Sequence, residues 1–288
     1  MTTHAASKRG VLYLVATPIG NLGDITQRAI ATLEAADLVA AEDTRHSGRL
    51  LQHLGLHKPL LAYHDHSDAQ ALEKLMAALD TGAQVALISD AGMPLIADPG
   101  YPLVRAARAA GHAVIPIPGA CALIAALAAS GLPADRFRFE GFLPAKAGAR
   151  QARLEALSQA DCTLIFYEAP HRLRDTLAAM ATAFGAERPL SLAREISKAF
   201  ETFIVGSVAE VMARVAADPN QCRGEMVLVV GAASKSLGAE QAAGEALVAD
   251  LIAAGTPVNA ACKIAARHTG AKKNALYDWA VNGPAGGN

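Results

Sequence analysis

The sequence contains little cysteine, and none of it is arranged in close pairs. Four cysteines occur among 288 residues, and no two of them form a CxxC motif. This wide spacing argues against a disulfide framework and against a zinc knuckle, because both need clustered thiols. We therefore expect the protein to work in a reducing compartment, the cytoplasm. The four are Cys121, Cys162, Cys222 and Cys262.

Long apolar runs and an excess of charge of either sign are also missing. No hydrophobic stretch reaches membrane-spanning length without charged or turn-forming residues, and the opening MTTHAASKRG lacks the apolar segment of a signal peptide. We therefore expect no membrane partner. The formal net charge of −1 excludes a global attraction for nucleic acid, so a polyanionic partner would need local basic patches. With 52% hydrophobic residues, the chain can form one large or two ordinary domains.

Two common nucleotide-binding motifs are absent, GxGxxG and GxxxxGK[ST]. A dinucleotide fingerprint and a P-loop are therefore unsupported. The chain nevertheless begins like a nucleotide-type fold, with an apolar strand at residues 11–16 and a glycine-containing loop at residues 17–24. Asp24 and Gln27 resemble a capping box, which predicts a helix from near Ile25.

The most informative stretch is VALISDAGMPLIADPG, residues 85–100. Residues 85–88 are wholly apolar, which is typical of a strand buried on both faces of a parallel sheet. Small, turn-forming residues with one carboxylate, Asp90, follow at residues 89–94. Ligands bind beyond the carboxyl ends of strands in open α/β sheets, so this loop is a candidate binding site. The alternative is an ordinary turn in which Asp90 caps a helix.

Other strand ends carry polar or small residues. A strand at residues 38–41 leads into Glu42–His46, whose ionisable groups are either functional or a solvated helix start capped by Asp43 or Thr44. His64 and His66 flank Asp65, but no third ligand lies at a recognisable spacing, so we predict a polar loop or substrate contact and no metal. Residues 118–122 open an alanine-rich helix whose N-terminus could bind an anion.

The second half of the chain predicts a second sheet and a helical tail. After a hinge at residues 131–145, we expect strands at 137–142, 162–167, 190–193, 200–205 and 225–230. Lys146, Arg150 and Arg153 form either a phosphate-contacting loop or a solvated helix face. The tail has a helix–turn–helix rhythm with a turn near residues 269–270. Its basic residues suggest nucleic-acid binding, although a helical cap or dimer element is the alternative. The basic residues of the tail are Lys263, Arg267, Lys272 and Lys273.

Several motifs in order resemble a known group. They are LYLVATPIGNLGDIT, EDTR, LISDAGMPLIADPG, PGACALIAAL, FYEAPHR and GEMVLVV, and they span residues 11–231. The chain resembles the tetrapyrrole-methylase superfamily and, more narrowly, its branch that methylates the ribose 2′-oxygen of a cytidine in 16S ribosomal RNA. The EDTR, YHDH and FYEAPHR stretches favour the RNA branch over the tetrapyrrole methylases, and the helical tail also resembles that branch.

The resemblance implies an α/β protein with two domains of the tetrapyrrole-methylase type, at residues 10–118 and 119–231. S-adenosylmethionine would lie in the cleft between them, and a helical extension at residues 244–282 could bind RNA. One departure is the pair Cys121-Ala122, where relatives often carry hydroxyl residues. The residues that the resemblance assigns to the cofactor are Pro18, Ile19, Ser89, Asp90, Met93, Cys121, Ala122, Tyr167, Glu168, Ala193, Glu225 and Met226.

The implied reaction is an in-line displacement that joins a deprotonated ribose oxygen to a sulfonium-bound methyl group. A water-poor cleft favours this loss of charge, and alignment supplies much of the remaining acceleration. The candidate polar catalytic residues are Asp43, Glu168 and Lys198, where a carboxylate or a lysine with lowered pKa could act as base. The candidate RNA-binding residues are Arg45, His64, Lys146, Arg150, Arg172, Arg194, Lys272 and Lys273, with structural salt bridges as the alternative for each.

The expected partner is 16S ribosomal RNA in the decoding region of the assembled small subunit, and the resemblance implies a homodimer. Three other functions stay open from the sequence. They are a tetrapyrrole methylase of the precorrin or uroporphyrinogen type, a non-enzymatic RNA-binding protein, and a metal-dependent phosphohydrolase that uses His64 and His66.

Overall fold

A computed structural model of the chain describes residues 9–64, 69–233 and 237–282. The chain divides into two compact units, residues 1–232 and residues 233–288. His66, part of the histidine pair considered for a metal, lies outside the described residues. Within the described ranges no helix is long and apolar enough to cross a membrane, and no cluster of three or more His, Cys, Asp or Glu residues could hold a metal ion.

The first sheet contains five parallel strands in the order β3-β2-β4-β1-β5. The predicted apolar strand, β4, is the central strand and is almost wholly buried because helices cover both faces. Pro116 lies in β5, an edge strand, as the missing backbone N–H of proline predicts. The strands are β1 (Val11–Val15), β2 (Leu38–Ala41), β3 (Leu60–Ala62), β4 (Gln84–Ile88) and β5 (Ala113–Ile117).

Helices pack on both faces of this sheet, α1 and α2 on one face and α3 and α4 on the other. The predicted capping box at Asp24 is wrong. Residues 22–24 form a separate 3-10 turn, and Ile25 is extended, so the helix cannot run through it. Thr26 is the cap instead, and its side chain accepts from the Ala29 N–H at 3.1 Å. The helices are α1 (Gln27–Ala35), α2 (Thr44–His53), α3 (Ala69–Asp80) and α4 (Tyr101–Ala109).

The second sheet has the order β6-β7-β10-β8-β9, with β6 and β7 parallel and the other pairs antiparallel. Its core surrounds the fully buried Phe166. Three strands begin slightly later than predicted, at Thr163, Thr202 and Met226. The elements are α5 (Ala122–Ala129), β6 (Phe137–Phe142), α6 (Ala147–Leu157), β7 (Thr163–Glu168), α7 (Leu173–Phe184), β8 (Pro189–Arg194), β9 (Thr202–Ser207), α8 (Val208–Ala217) and β10 (Met226–Val230).

The second compact unit is helical, with α9 (Leu237–Ala253), α10 (Val258–Thr269) and α11 (Lys273–Asn282). The predicted turn near residues 269–270 is confirmed, since Gly270 ends α10 in the left-handed conformation at φ 81°. A small apolar core joins the three helices. It consists of Val248, Ala261, Cys262, Ala265, Ala271 and Leu276.

Candidate functional site

A cavity of about 360 Å³ lies in the first compact unit, where loops from both sheets meet. The loop after β4 contributes Ala91, Gly92 and Met93, and the start of α5 contributes Cys121 and Ala122. The cavity therefore lies at strand ends and at a helix N-terminus, where ligands of open α/β sheets bind. The remaining lining residues are Ile19, Ile96, Ala97, Asp98, Phe142, Tyr167, Glu168, Ala169, Pro170, Ile196, Glu225, Met226 and Val227.

Hydrogen bonds join the loop after β1 to the loop after β4. Thr17 and Gly92 exchange two backbone bonds, at 2.9 Å and 3.1 Å. The buried Thr17 hydroxyl also donates to the Ser89 carbonyl at 3.1 Å. The Ser89 hydroxyl faces the carbonyls of Ala91 and Gly92 rather than the cavity. These contacts give the cavity a wall of two loops in one preformed arrangement.

Backbone strain is concentrated beside this cavity. The four non-glycine residues with positive φ among those described are Leu95, Ala97, Glu195 and Ser197. Ala97 lines the cavity, and Glu195 and Ser197 flank Ile196, which also lines it. Each such conformation costs on the order of 1–3 kcal/mol and persists where the surrounding structure demands it, commonly at functional sites.

The cavity walls are mainly apolar, with three carboxylates, one from the first half of the unit and two, Glu168 and Glu225, from the second. Asp98 lies in the loop between β4 and α4 of the first sheet, and Glu225 directly precedes β10 of the second. Burial raises the pKa of the Tyr167 hydroxyl far above its usual range, and a contact with the Leu123 backbone only partly opposes this. The Tyr167 ring packs edge-on against Phe142, with centroids 5.7 Å apart. The site thus suits a ligand with an apolar, planar part and a positive charge.

An ion-pair network lies at the rim of the cavity. The Lys198 ammonium group is 2.9 Å from Glu195 and 3.1 Å from Glu225, and the Glu225 N–H donates to Glu195 at 2.8 Å. The aliphatic stem of Lys198 lies so close to Gly20 that a Cβ there would clash with its Cγ. The neighbouring Ser197 hydroxyl also forms a hydrogen bond with Asp24. This network therefore ties the second sheet's loop to the first sheet's loop.

The network keeps Lys198 protonated. Partial burial alone would lower its pKa, but the bonds to Glu195 and Glu225 outweigh burial and raise it above the usual value. Burial likewise opposes the charged form of Glu195, yet the bonds from the Glu225 N–H and Lys198 lower its pKa. The idea that Lys198 acts as a base through a lowered pKa is thus corrected: the residue is a cation at the rim.

Comparisons with known proteins agree with this architecture. The profile described as Tetrapyrrole (Corrin/Porphyrin) Methylases matches residues 11–212, and the RsmI C-terminal HTH domain matches residues 238–282. A protein of Pseudomonas aeruginosa named Ribosomal RNA small subunit methyltransferase I is 54% identical, over 94% of this chain and 97% of that protein. The chain belongs to the ribosomal RNA small subunit methyltransferase I family of tetrapyrrole methylases. A relative of the same name from Pasteurella multocida is 52% identical over the same shares.

Solved structures of other tetrapyrrole methylases have the same fold. A uroporphyrin-III-C-methyltransferase from Thermus thermophilus is 25% identical, with a TM-score of 0.55 over 80% of this chain and 98% of that one. Cobalt precorrin-4 methyltransferase is 15% identical with a TM-score of 0.55, over 77% and 94% of the two chains. The resemblance stated from the motifs is therefore confirmed for the family and for the α/β fold class.

Most residues that the family motif assigns to the cofactor line the cavity, but four do not. Pro18 and Asp90 face a smaller adjoining pocket. Ser89 and Ala193 are buried, and Ala193 pairs with Val227 in the second sheet. The eight assigned residues that do line the cavity are Ile19, Met93, Cys121, Ala122, Tyr167, Glu168, Glu225 and Met226.

The motif-based assignment missed several lining residues, mostly small or apolar. Asp98 is the exception with obvious chemistry, and its position in the ADPG end of the β4 loop motif is a signal that could have found it. Ala and Ile carry no such signal, because they are equally common in cores. The missed residues are Ala91, Gly92, Ile96, Ala97, Asp98, Phe142, Ala169, Pro170, Ile196 and Val227.

Glu168 is only 2% exposed and its carboxylate is engaged by the protein. It accepts from the Ala169 N–H at 2.8 Å and from the Thr176 hydroxyl, and Arg172 Nε lies 3.4 Å away. Arg172 in turn donates to the Leu143 carbonyl. Both oxygens thus have partners, which suits Glu168 to shaping the end of β7 more than to accepting a substrate proton.

Asp43 is the N-cap of α2, as one of the two sequence-based interpretations predicted. Its carboxylate accepts from the N–H of Arg45 at 2.7 Å and of His46 at 3.4 Å. These two bonds lower the pKa of Asp43 below its usual value. The Asp43 N–H donates to Asp90 at 3.2 Å, which links the start of α2 to the loop after β4.

We expect the cap to make stability depend on pH. A carboxyl group whose pKa is lower in the folded than in the unfolded protein stabilises the folded state. This stabilisation is complete above the unfolded-state pKa and is lost as the pH falls through the folded-state pKa. Asp43→Asn keeps a capping oxygen but no titrating charge. In urea unfolding, the free energy of unfolding should be larger for wild type than for the variant at neutral pH. This difference in free energy should vanish in strong acid. A difference that does not change with pH would contradict this role for the Asp43 charge.

The predicted RNA-binding residues divide by burial. Arg150 and Arg194 are buried, and their guanidinium groups face the carbonyls of Ala145 and Phe200, so we do not carry them into the RNA-binding proposal. Arg172 is half-buried and donates to carbonyls. The exposed ones are Arg45, His64 and Lys146 in the first unit and Lys272 and Lys273 in the helical unit.

Proposed function

We propose that the protein transfers a methyl group from S-adenosylmethionine to the ribose 2′-oxygen of a cytidine in the decoding region of 16S ribosomal RNA. The observation that carries the proposal is the 360 Å³ cavity, which loops of both sheets line in a chain of this family. We further propose that the substrate is the assembled small subunit, and that the enzyme acts in the cytoplasm as a homodimer.

The cavity residues fit the proposed methyl donor. When bound, S-adenosylmethionine supplies an electrophilic methyl group on a positively charged sulfur. The Asp98 carboxylate favours a cation at the site, while Met93, Ile96 and Met226 provide apolar surface. Ala122 and Gly92 carry little or no side chain, so a ligand can approach the backbone there. Apolar walls of this kind favour the loss of charge that accompanies transfer.

Lys198 is the side chain that we assign to the ribose oxygen. Its ammonium group is held at the rim by Glu195 and by Glu225, and Glu225 lines the cavity. A fixed cation lowers the energy of the ribose oxygen as its proton passes to solvent water, and it needs no reorganisation during the reaction. Asp43 and Glu168 are left with structural roles, because a helix end and the β7 end already engage their carboxylates.

RNA phosphates require cations that reach solvent. Arg45, at the start of α2, and Lys146, at the start of α6, are exposed in the first unit. Lys272 and Lys273 are exposed at the start of α11 in the helical unit. We propose that these groups orient the RNA backbone, because phosphate contacts set register without reading the sequence.

One labelling experiment tests the proposal against tetrapyrrole methylation, the function named for the solved neighbours. The protein is incubated with radiolabelled S-adenosylmethionine and either undermethylated small subunits, large subunits or uroporphyrinogen. We expect label in small subunits alone, and nucleoside mass spectrometry should identify it as 2′-O-methylcytidine. Label on the porphyrinogen, on the base of a nucleotide, or on no substrate would each contradict the proposal.

A further inference from the structure

A second pocket of about 180 Å³ lies on the other side of the loops that wall the main cavity. Consecutive residues of each loop contribute to opposite sides. Pro18 faces the smaller pocket and Ile19 the cavity, and Asp90 faces the smaller pocket and Ala91 the cavity. The two spaces are therefore separated by a wall only one loop thick. The other lining residues of the smaller pocket are Leu22, His46, Arg49, Leu50 and His53.

The smaller pocket presents one acceptor group and several donors. One oxygen of Asp90, Oδ1, is occupied by the Asp43 N–H, which leaves the other side of the carboxylate to the pocket. His46, Arg49 and His53 follow at helical spacing on one exposed face of α2. Within the described ranges the Arg49 guanidinium forms no ion pair or hydrogen bond. Within the described part of the chain, these side chains therefore keep hydrogen-bonding groups that a ligand in the pocket could use.

The rest of the pocket is apolar. Leu22 is 46% exposed, although large apolar side chains usually lie inside, and Leu50 and Pro18 complete the apolar surface. A phosphate would suit the basic groups but would be repelled by Asp90. A nucleobase fits both features, because its faces are apolar and its edge carries donors and acceptors. The pocket volume of about 180 Å³ leaves room for a single-ring base.

We propose that this pocket receives the cytosine base of the target nucleotide, turned out of the RNA. This inference rests on the proposed function, and it adds an explanation of how the enzyme selects cytosine over other bases. Asp90 accepts from the exocyclic amine, as carboxylates do in cytosine recognition, and Arg49 donates to the base carbonyl. Enzymes that modify a nucleotide read the flipped base through this edge. With the base here, the ribose lies at the dividing wall, beside the main cavity.

The same geometry rejects uracil. Uracil carries a carbonyl oxygen where cytosine carries the amine, and a carboxylate facing that oxygen is repelled. The hydrogen bond from the Asp43 N–H also determines how the side chain of Asp90→Asn is oriented. The amide oxygen of the variant takes the bond from Asp43, so its NH₂ group faces the pocket. A donor at that point favours uracil and disfavours cytosine.

The test uses small subunits with either cytidine or uridine at the mapped target position. Wild type should prefer cytidine by roughly 100-fold, and Asp90→Asn should reduce that preference to less than about 10-fold or reverse it. Calorimetry should show unchanged affinity of Asp90→Asn for S-adenosylmethionine. Arg49→Gln, an exposed helix substitution with little risk to folding, should raise KM for the subunit by roughly tenfold. Arg105→Ala, on the opposite face of the sheet, is the matched control and should match wild type.

Two outcomes would overturn the base pocket while leaving the proposed function intact. One is loss of S-adenosylmethionine binding in Asp90→Asn, which would place Asp90 with the methyl donor. The other is unchanged activity and cytidine preference in both Asp90→Asn and Arg49→Gln. A wild-type protein that methylates neither subunit would instead refute the proposed function, and the base pocket with it.

Discussion

Replacing Ala122 with phenylalanine should lower methyl transfer by more than about 100-fold while the protein stays folded. Ala122 is the first residue of α5 and lines the main cavity, so a benzyl group there takes up space that the donor needs. The fold should tolerate the change because the new ring can extend into open space. We expect a Tm within about 2–4 °C of wild type, the shift that 1 kcal/mol produces in a domain of about 150–250 residues.

The measurements are calorimetric titration with S-adenosylmethionine and subunit labelling. Ala128→Phe is the matched control, since Ala128 is exposed on the same helix and does not line the cavity. We expect it to bind and transfer like wild type. Normal donor affinity in Ala122→Phe would show that the donor binds elsewhere, and the mechanism proposed for the cavity would then be wrong.

Replacing Lys198 with methionine should lower kcat by about 100-fold, the effect of removing one preorganised charge from a transition state. Methionine keeps an apolar stem over Gly20 but leaves Glu195 and Glu225 without their shared cation. The pKa of Glu195 should therefore rise toward its usual value, because a bond that lowers it is lost. Affinity for the donor should change much less than kcat, since apolar walls supply most of the cavity surface.

Two further variants separate catalysis from structure at this position. Lys198→Arg retains the charge and should recover part of the rate, whereas a purely structural role would depend on the shape of the side chain. Lys74→Met removes an exposed lysine from α3 and should leave kcat unchanged. Equal rates for wild type and Lys198→Met would remove Lys198 from the reaction.

Much of the framework could be predicted from local patterns. The apolar run that became β4 and the small-residue loop after it were recognisable, because a strand buried on both faces needs a continuous hydrophobic run. The start of α5 beside the cavity was recognisable for a similar reason, since its small residues follow a strand directly. The cap of α1 was misplaced at Asp24, because two capping-type residues, Asp24 and Thr26, lie close together and the pattern does not choose between them.

The roles of individual polar residues could not be predicted in the same way. Asp90 was assigned to the methyl donor from its motif, yet it faces the smaller pocket and contacts Asp43, 47 residues earlier. Lys198 was a candidate base, but two carboxylates keep it protonated. Arg150 and Arg194 were candidate RNA contacts, but both are buried. Each outcome depends on neighbours that are distant in the chain.

The sequence by itself determined the family, the two α/β sheets and the position of the ligand-binding loops, because hydrophobic periodicity and ordered motifs are properties of neighbouring residues. Only the tertiary structure decided which side of the loops after β1 and β4 each side chain faces, and whether a charged group is paired, buried or exposed. The physical reason is that strand pairing brings together residues such as Thr17 and Gly92, and burial and charge partners then set the chemistry of each group.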